Sequence, residues 1–198
     1  MPSILVAYAT KHGTTREVAE VIASELRARG LSATLRAADD VQDLRAFDAV
    51  VLDAYDAVVL GGPLYHGHWH REASRFLMRH RRALEALPLA VFALDPACAP
   101  VPNAAERACA RGQLEGALRK APWLTPVDTQ LSGAALDPSR LHSRFNRMPD
   151  TDWRDWGAVR RWAAALPAAL EIEPAPASTQ IPAAPAAIPL DVLTARAG

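Results

Sequence analysis

The chain has 198 residues, 22 lysines and arginines, 22 aspartates and glutamates, and a formal net charge of zero. This length suffices for one domain of about 150 residues with some extra chain. The neutral balance argues against a nucleic-acid partner, which usually leaves a strongly basic protein. Two cysteines in a chain too large to need disulfides predict a reduced protein. Without an apolar run near 18 residues or a signal-peptide pattern, we expect no transmembrane segment and a cytoplasmic location.

Strand and helix patterns alternate along the chain. Apolar runs predict strands at residues 4–8, 58–60 and 90–94, alternation predicts one at 32–36, and a weaker pattern predicts a fifth near 127–131. Amphipathic periodicity predicts a helix that follows residues 10–15 and ends near Gly30, and further helices near 72–87, 107–120 and 152–170. Such alternation implies βαβ crossovers. We therefore predict an α/β fold, a doubly wound five-stranded parallel sheet in the order 2-1-3-4-5 with helices on both faces.

The third strand is ambiguous because its sequence is nearly repeated. Residues 47–52 read Phe-Asp-Ala-Val-Val-Leu, and residues 55–60 read Tyr-Asp-Ala-Val-Val-Leu. Only one copy can be the central strand, and the Gly61-Gly62 pair after the second copy favours that one. From about residue 173 the chain is rich in proline and alanine, a composition that cannot bury enough surface to fold alone. We therefore expect a domain over 1–172 and a loose tail over 173–198.

The segment between the first strand and the first helix carries the clearest chemical signal. It reads Thr10, Lys11, His12, Gly13, Thr14 and Thr15. A helix N-terminus offers free backbone N–H groups to an anion, threonine hydroxyls add donors, and glycine permits close approach. The segment is neither G-x-G-x-x-G nor G-x-x-x-x-G-K-[ST], which argues against a dinucleotide fingerprint or a P-loop. Its residues alone fit either an anion site or a helix capped by a threonine.

Three segments resemble known proteins. The spacing of Thr10, Gly13 and Thr15 resembles the flavodoxin phosphate loop, although His12 stands where many flavodoxins have threonine. Residues 61–70, Gly-Gly-Pro-Leu-Tyr-His-Gly-His-Trp-His, resemble one subgroup, flavodoxin-like proteins of the menaquinone-dependent protoporphyrinogen dehydrogenase type. Residues 131–134 and 148–153 extend that similarity, which spans roughly residues 3–170. The resemblance implies FMN as cofactor, bound by its phosphate at residues 10–15.

Two further loops are expected beside the flavin. In a sheet of this order, ligands lie outside the carboxyl ends of the strands, at the switch point between strands 1 and 3. The first loop supplies Pro63, Leu64, Tyr65, His66, Gly67 and Trp69, whose aromatic members suit stacking on a flat ring. The alternative for Trp69 is packing against its own sheet. The resemblance implies a third loop after strand four, with Ala93, Leu94 and Asp95 contacting the flavin through backbone atoms.

Other polar patterns in these segments have simpler interpretations. His66, His68 and His70 alternate, but no carboxylate completes a ligand set, so we expect no metal site. The arginines of residues 71–82 read as a solvated helix face. Arg140, Arg144 and Arg147 follow strand five near the expected flavin edge, where carboxylate-bearing or quinone substrates would approach. The short polar stretch 137–149 departs from the protoporphyrinogen enzymes, which have a more apolar basic segment there.

These features favour an FMN-dependent oxidoreductase that moves electrons between a small-molecule donor and an organic acceptor, with protoporphyrinogen and a quinone as its most specific form. The cofactor carries the redox chemistry, so no side chain is predicted to be catalytic. A flavodoxin-type electron carrier is the alternative, although carriers are usually acidic around the flavin. A receiver domain would need an aspartate where Leu60-Gly61-Gly62 stands. A flavin-free interaction domain also stays open, and the oligomeric state is not predicted beyond a possible oligomer.

Overall fold

The computed structural model describes residues 1–41, 55–95, 104–136 and 151–173. Its strands are β1 (Ser3–Tyr8), β2 (Ser32–Ala37), β3 (Ala57–Tyr65), β4 (His68–Trp69), β5 (Leu89–Asp95), β6 (Asp128–Gly133), β7 (Ala135–Leu136) and β8 (Thr151–Asp152). Its helices are α1 (Thr14–Ala28), α2 (Arg71–Arg79), α3 (Arg81–Leu84), α4 (Ala104–Leu118) and α5 (Trp156–Ala169). The repeat copy at 47–52 and the tail beyond 173 lie outside the described residues.

Five strands pair in parallel in the order β2-β1-β3-β5-β6. This order is the predicted 2-1-3-4-5, and the second copy of the repeated sequence is indeed the central strand. The short β4 pairs with β3 in antiparallel fashion, and β7 pairs with β8 in a separate two-stranded sheet. The strand order reverses direction between β1 and β3, which places the topological switch point there.

Alternate residues of the strands face two apolar layers. Leu5, Ala7 and Leu60 point to the face covered by α2, α3 and α4, whereas Ile4 and Val6 point to the face covered by α1 and α5. All seven residues of β5 are buried. Strands buried on both faces explain why they read as continuous apolar runs in the sequence.

Most boundaries differ from the sequence prediction by one to three residues, and three differences are informative. β3 does not end at Gly61 but continues to Tyr65, because Gly61-Gly62-Pro63 still pairs with β5. The helix predicted over 72–87 is divided at His80, whose backbone leaves helical angles (φ −100°, ψ 17°) while its buried ring packs 4.7 Å from Phe76. The last helix begins later than residue 152, since Asp155 caps it by accepting a hydrogen bond from the Ala158 N–H at 2.8 Å.

Candidate functional site

The carboxyl ends of β2, β1 and β3 meet at one edge of the sheet. The Ala9 N–H donates to the Gly61 carbonyl at 2.8 Å, and the Ala38 N–H donates to the Tyr8 carbonyl at 2.8 Å. These two bonds fix where the chain leaves each strand. Residues 10–15, 38–41 and 63–72 therefore emerge side by side at the switch point.

The phosphate-loop candidate begins α1 without a side-chain cap. Gly13 is the N-cap residue and has φ 89°, a left-handed conformation that favours glycine. The Thr10 hydroxyl accepts the Gly13 N–H at 2.9 Å, and the first helical bond runs from the Glu17 N–H to the Gly13 carbonyl at 3.2 Å. The N-cap position belongs to Gly13, which makes no side-chain cap hydrogen bond, so the alternative of a threonine at the N-cap is wrong. Glycine at the N-cap offers no side-chain oxygen to the first N–H groups of α1, which an anion could therefore bind.

Thr15 adds an unused donor to this loop. Its side chain is 0% exposed, and its hydroxyl has no hydrogen-bond partner among the described residues. A buried hydroxyl in this state costs on the order of 1–3 kcal/mol. An anion in front of α1 would remove that cost, and the residues present therefore fit a phosphate group.

An acidic residue in the first turn of α1 is neutralised from the far end of the chain. Glu17 would repel an anion, but its carboxylate lies 2.6 Å from Nη1 of Arg154. The guanidinium also bonds Asp152 at 2.8 Å and lies 4.4 Å from the Trp156 ring. The Arg154 side chain is only 7% exposed. Arg154 was not predicted from the sequence, and no local pattern marks it because its partner Glu17 is 137 residues away.

The second predicted loop is a tight hairpin. Leu64 pairs with Trp69 and Tyr65 with His68, which leaves His66 and Gly67 as a two-residue turn. Both turn residues have positive φ, 49° and 72°, as a type I′ turn requires. The hairpin thus projects from the central strand at the switch point.

The aromatic residues of this hairpin have different positions. Tyr65 is 37% exposed, and partial burial raises the pKa of its hydroxyl, which stays neutral. Trp69 is 7% exposed and packs over Gly62 and against Ala73, which is the alternative considered for it. The Leu64 side chain is fully buried in the core. Tyr65 is therefore the most accessible of the larger aromatic side chains here, and the imidazole rings of His66 and His68 are exposed beside it.

Helix α4 holds the hairpin in place. The Gly67 N–H donates to Oε1 of Gln113 at 3.1 Å. Lys120, just after the helix, places Nζ 2.7 Å from Nδ1 of His68. Neither contact was predicted, since nothing near Gln113 in sequence indicates that it meets a turn 46 residues earlier.

The third predicted loop is only partly described. Ala93, Leu94 and Asp95 end β5 and are at most 3% exposed. Their side chains are not open to a ligand, so contact there remains a prediction about backbone atoms. Residues 96–103 and Arg140, Arg144 and Arg147 lie outside the described residues.

An open depression of about 570 Å³ connects the first two loops. Its lining is Thr10, Lys11, Tyr65, His68, Trp69, His70, Arg71 and Glu72. It has a partly aromatic wall and a cationic rim, and it opens beside the phosphate-loop candidate. From the sequence, His70 was considered only as a metal ligand, and Glu72 was not singled out.

The described residues were also compared with a metal site, a disulfide and a membrane-spanning helix. Those residues contain no group of three histidine, cysteine or acidic side chains that could hold a metal ion. Cys109 is exposed and has a free thiol. No helix in the described ranges is both long and apolar enough to cross a membrane.

The fold and the loop geometry agree with a family-level comparison. A family model described as a flavodoxin domain matches residues 5–147. The chain belongs to the flavodoxin domain family. A WrbA-like flavodoxin protein from Agrobacterium tumefaciens shares this fold, with a TM-score of 0.51, 17% identity, and coverage of 87% of this chain and 100% of that one.

Two curated relatives of this flavodoxin-family chain have the same name, protoporphyrinogen IX dehydrogenase [quinone]. The relative from Escherichia coli K12 is 31% identical over 91 residues, which are 46% of this chain and 47% of the relative. The relative from Leishmania major is 26% identical over 192 residues, covering 87% of this chain and 79% of the relative. The matched region thus spans about half the length of the Escherichia coli relative.

Proposed function

We propose that this protein binds FMN and acts as an oxidoreductase that oxidises a porphyrinogen-like donor and passes the electrons to a quinone. The observation that carries the proposal is the loop at α1, where Gly13 at positive φ leaves the helix N-terminus uncapped and the buried Thr15 hydroxyl is unpartnered. This arrangement favours a phosphate over an uncharged group. The names of the two relatives supply the substrate class.

The residues of this chain would have separate tasks in that function. Thr10, Gly13 and Thr15 would hold the FMN phosphate, with Arg154 keeping Glu17 from repelling it. Tyr65 would cover one side of the ring, on a hairpin that Gln113 fixes. When bound, the flavin supplies the redox chemistry by accepting two electrons and giving them up again. The protein's contribution is to bind, to orient and to shape the approach of the substrates.

The experiment that tests the cofactor compares two ligands. The apoprotein is titrated with FMN and with riboflavin, which lacks the phosphate, and quenching of flavin fluorescence is followed. We expect FMN to bind at least a hundredfold more tightly, because only FMN can use the α1 N-terminus. Equal affinities, or no quenching with either ligand, would overturn the proposal.

A second measurement tests the reaction. The FMN-loaded protein is supplied with protoporphyrinogen IX and menadione, and porphyrin fluorescence is followed under anaerobic conditions. We expect porphyrin formation that depends on the quinone. Bound flavin without turnover would instead favour the electron-carrier alternative.

A further inference from the structure

A strip of arginines runs along the outer side of α2. Arg71, Arg75 and Arg79 are spaced four residues apart, which places them on one side of the helix. Arg71 and Arg75 are exposed, and Arg79 is partly exposed. The opposite side of α2 is buried in the core through Phe76 and Leu77. This arginine strip therefore points away from the protein, in agreement with the solvated helix face predicted from the sequence.

The arginine strip is unfavourable for the helix that carries it. Like charges four residues apart repel each other, and a cation in the first turn opposes the helix dipole. None of the three arginines has an ion-pair partner among the described residues. Three other arginines on or next to helices do pair with a glutamate four residues away: Arg16 with Glu20, Arg29 with Glu25, and Arg81 with Glu85. Because local helix stability argues against the strip, an anionic ligand is the better explanation for it.

The neighbouring acid, Glu72, does not neutralise the arginine strip. Its Oε2 lies 3.6 Å from Nδ1 of His70, and only 20% of its side chain is exposed. Burial is the largest cause of a raised pKa at Glu72, and the charges of Arg71 and Arg75 offset only part of that rise. One mostly buried carboxyl group thus stands beside three guanidinium groups, and the strip keeps a net positive charge.

The arginine strip begins at the rim of the depression. Arg71 belongs to the lining of the depression, and Arg75 lies one helical turn, about 6 Å, further along the helix axis. An anion bound by these two side chains would lie outside the space against Tyr65 that is assigned to the flavin ring. A guanidinium group binds a carboxylate through two parallel hydrogen bonds. Two such groups in neighbouring turns suit a ligand that carries two neighbouring carboxylates.

We propose that Arg71 and Arg75 bind the two carboxylates of the porphyrinogen donor, so that its acidic edge lies on α2 while Tyr65 stays with the flavin ring. This inference rests on the proposed function, which supplies the donor class. Protoporphyrinogen IX carries two propionates on neighbouring pyrrole rings, whereas a quinone such as menadione carries no carboxylate. The arginine strip therefore recruits the donor and offers no comparable contact to the acceptor.

The test measures binding of protoporphyrin IX, the oxidised product, which keeps both carboxylates and is stable in air. FMN-loaded protein is titrated with protoporphyrin IX and with its dimethyl ester in the same neutral detergent, and the porphyrin absorbance band is followed. We expect the wild type to bind the diacid at least tenfold more tightly than the ester. In Arg71→Gln/Arg75→Gln this preference should fall below twofold, because the ester and the variant each remove one partner of the same ion pairs.

The matched control is Arg160→Gln/Arg161→Gln. It removes the same charge from two exposed positions of α5, which covers the opposite face of the sheet. This variant should keep the preference of the wild type for the diacid. A second variant, Arg75→Gln, keeps the inference testable if the double variant does not fold or does not bind FMN, since Arg75 is not part of the lining of the depression. We expect the preference for the diacid to fall at least threefold in Arg75→Gln.

The outcomes separate this inference from the proposed function. Wild-type protein that does not bind FMN would refute the proposed function. If FMN binds but the wild type does not prefer the diacid, the strip does not bind the donor's carboxylates, as an acidic protein in its place would also predict. A preference that survives in Arg75→Gln and in the double variant, or that is lost equally in the α5 control, would likewise overturn the role of Arg71 and Arg75.

Discussion

Substitution of Thr15 should have opposite effects on the stability of the apoprotein and on FMN binding. Thr15→Val replaces a buried, unpartnered hydroxyl by a methyl group of the same shape. The apoprotein should become more stable, by about 1 kcal/mol, because the desolvated hydroxyl is gone. FMN binding should weaken by about 1.5–3 kcal/mol, the range for a hydrogen bond to a charged group. Urea unfolding and fluorescence titration measure the two effects.

The control for this substitution is Thr129→Val. Thr129 is exposed on β6, and the change is chemically the same. FMN affinity should not change in this variant. If Thr15→Val also left FMN affinity unchanged, the phosphate would have to lie elsewhere than in front of α1.

The pairing of β3 with β5 leaves no room for a side chain at Gly61. It lies opposite Phe92 of β5, and a Cβ built on it would be 1.9 Å from that ring. Gly61→Ala should therefore destabilise the protein by about 1–3 kcal/mol or more through overpacking. Shortening the neighbour in Gly61→Ala/Phe92→Leu should recover part of the loss. Thermal unfolding of both variants checks this, and an unaffected single variant would contradict the close packing of Phe92 on Gly61.

The matched control again uses a glycine in a different setting. Gly112 lies in α4, and a Cβ there meets nothing within 4 Å. Gly112→Ala should stabilise the helix by about 1 kcal/mol. The two substitutions are identical in chemistry and opposite in sign.

At this scale the sequence indicates some functional residues and not others. Thr10, Gly13 and Thr15 are close together in the chain, so their spacing can be recognised in the sequence itself. His70 is different: the sequence suggested it only as a possible metal ligand, whereas in the structure β4 ends at Trp69 and His70 is the N-cap of α2. The raised pKa of Glu72, caused by burial and next by the charge of Asp39, depends on how the segment after β2 meets the start of α2, which no local pattern encodes.

At the scale of elements, the hairpin β3–β4 depends on α4 for its position. The Gln113 side chain accepts the Gly67 N–H at the turn. Gln113→Leu removes that acceptor, whereas Gln113→Glu keeps an oxygen at the same place. We expect the leucine variant to lose at least threefold in FMN affinity and the glutamate variant to retain near wild-type affinity, because only the former frees the turn. Fluorescence titration measures the affinities, and thermal unfolding checks that both variants fold.

A different result would change the assignment of this contact. If both Gln113 variants bound FMN as the wild type does, the hydrogen bond to Gly67 would be structural only. If both lost affinity equally, the effect would come from α4 packing and not from the acceptor oxygen.

Strands that are buried on both faces were predicted well from the sequence. Strands that depend on pairing with a neighbouring strand were predicted less well. The strands β1 and β5 are buried on both faces, so they appear as apolar runs. The hairpin was predicted only as a loop, since Gly-Gly-Pro in a strand interior argues against a strand. Pairing with β5 on one side and with β4 at its end stabilises that stretch nevertheless.

At the scale of the whole molecule, Arg154 joins distant parts of the chain. Its guanidinium bonds Glu17 of α1 and Asp152 of β8, next to the start of α5. Arg154 thus connects the start of α1 with the segment before α5, beside the phosphate-loop candidate. The predicted division into a domain over 1–172 and a tail over 173–198 stays a prediction.

This connection should make stability depend on pH. The side chain of Arg154, by hydrogen bonding, holds the pKa of Asp152 below its ordinary value of 3.8. A carboxyl group whose pKa is lower in the folded state than in the unfolded state stabilises the fold at pH values above its unfolded-state pKa. This stabilisation is lost as the pH falls through the pKa of the folded state. The wild type should therefore lose stability below about pH 4. Since the Asp152 side chain is 43% exposed, solvent screening limits this contribution to below about 1 kcal/mol.

Asp152→Asn tests the assignment by removing the titrating group. The variant should be less stable than the wild type at pH 7, and the difference between the two should shrink as pH falls from 5 to 3. Urea midpoints measured at each pH give that difference, with Glu171→Gln as a control at the exposed end of α5. If the urea midpoints of the wild type and of Asp152→Asn fell in parallel as the pH was lowered, the contact between Arg154 and Asp152 would not contribute to stability. Arg154 would then act on Glu17 alone, and its role would be confined to the charge in front of α1.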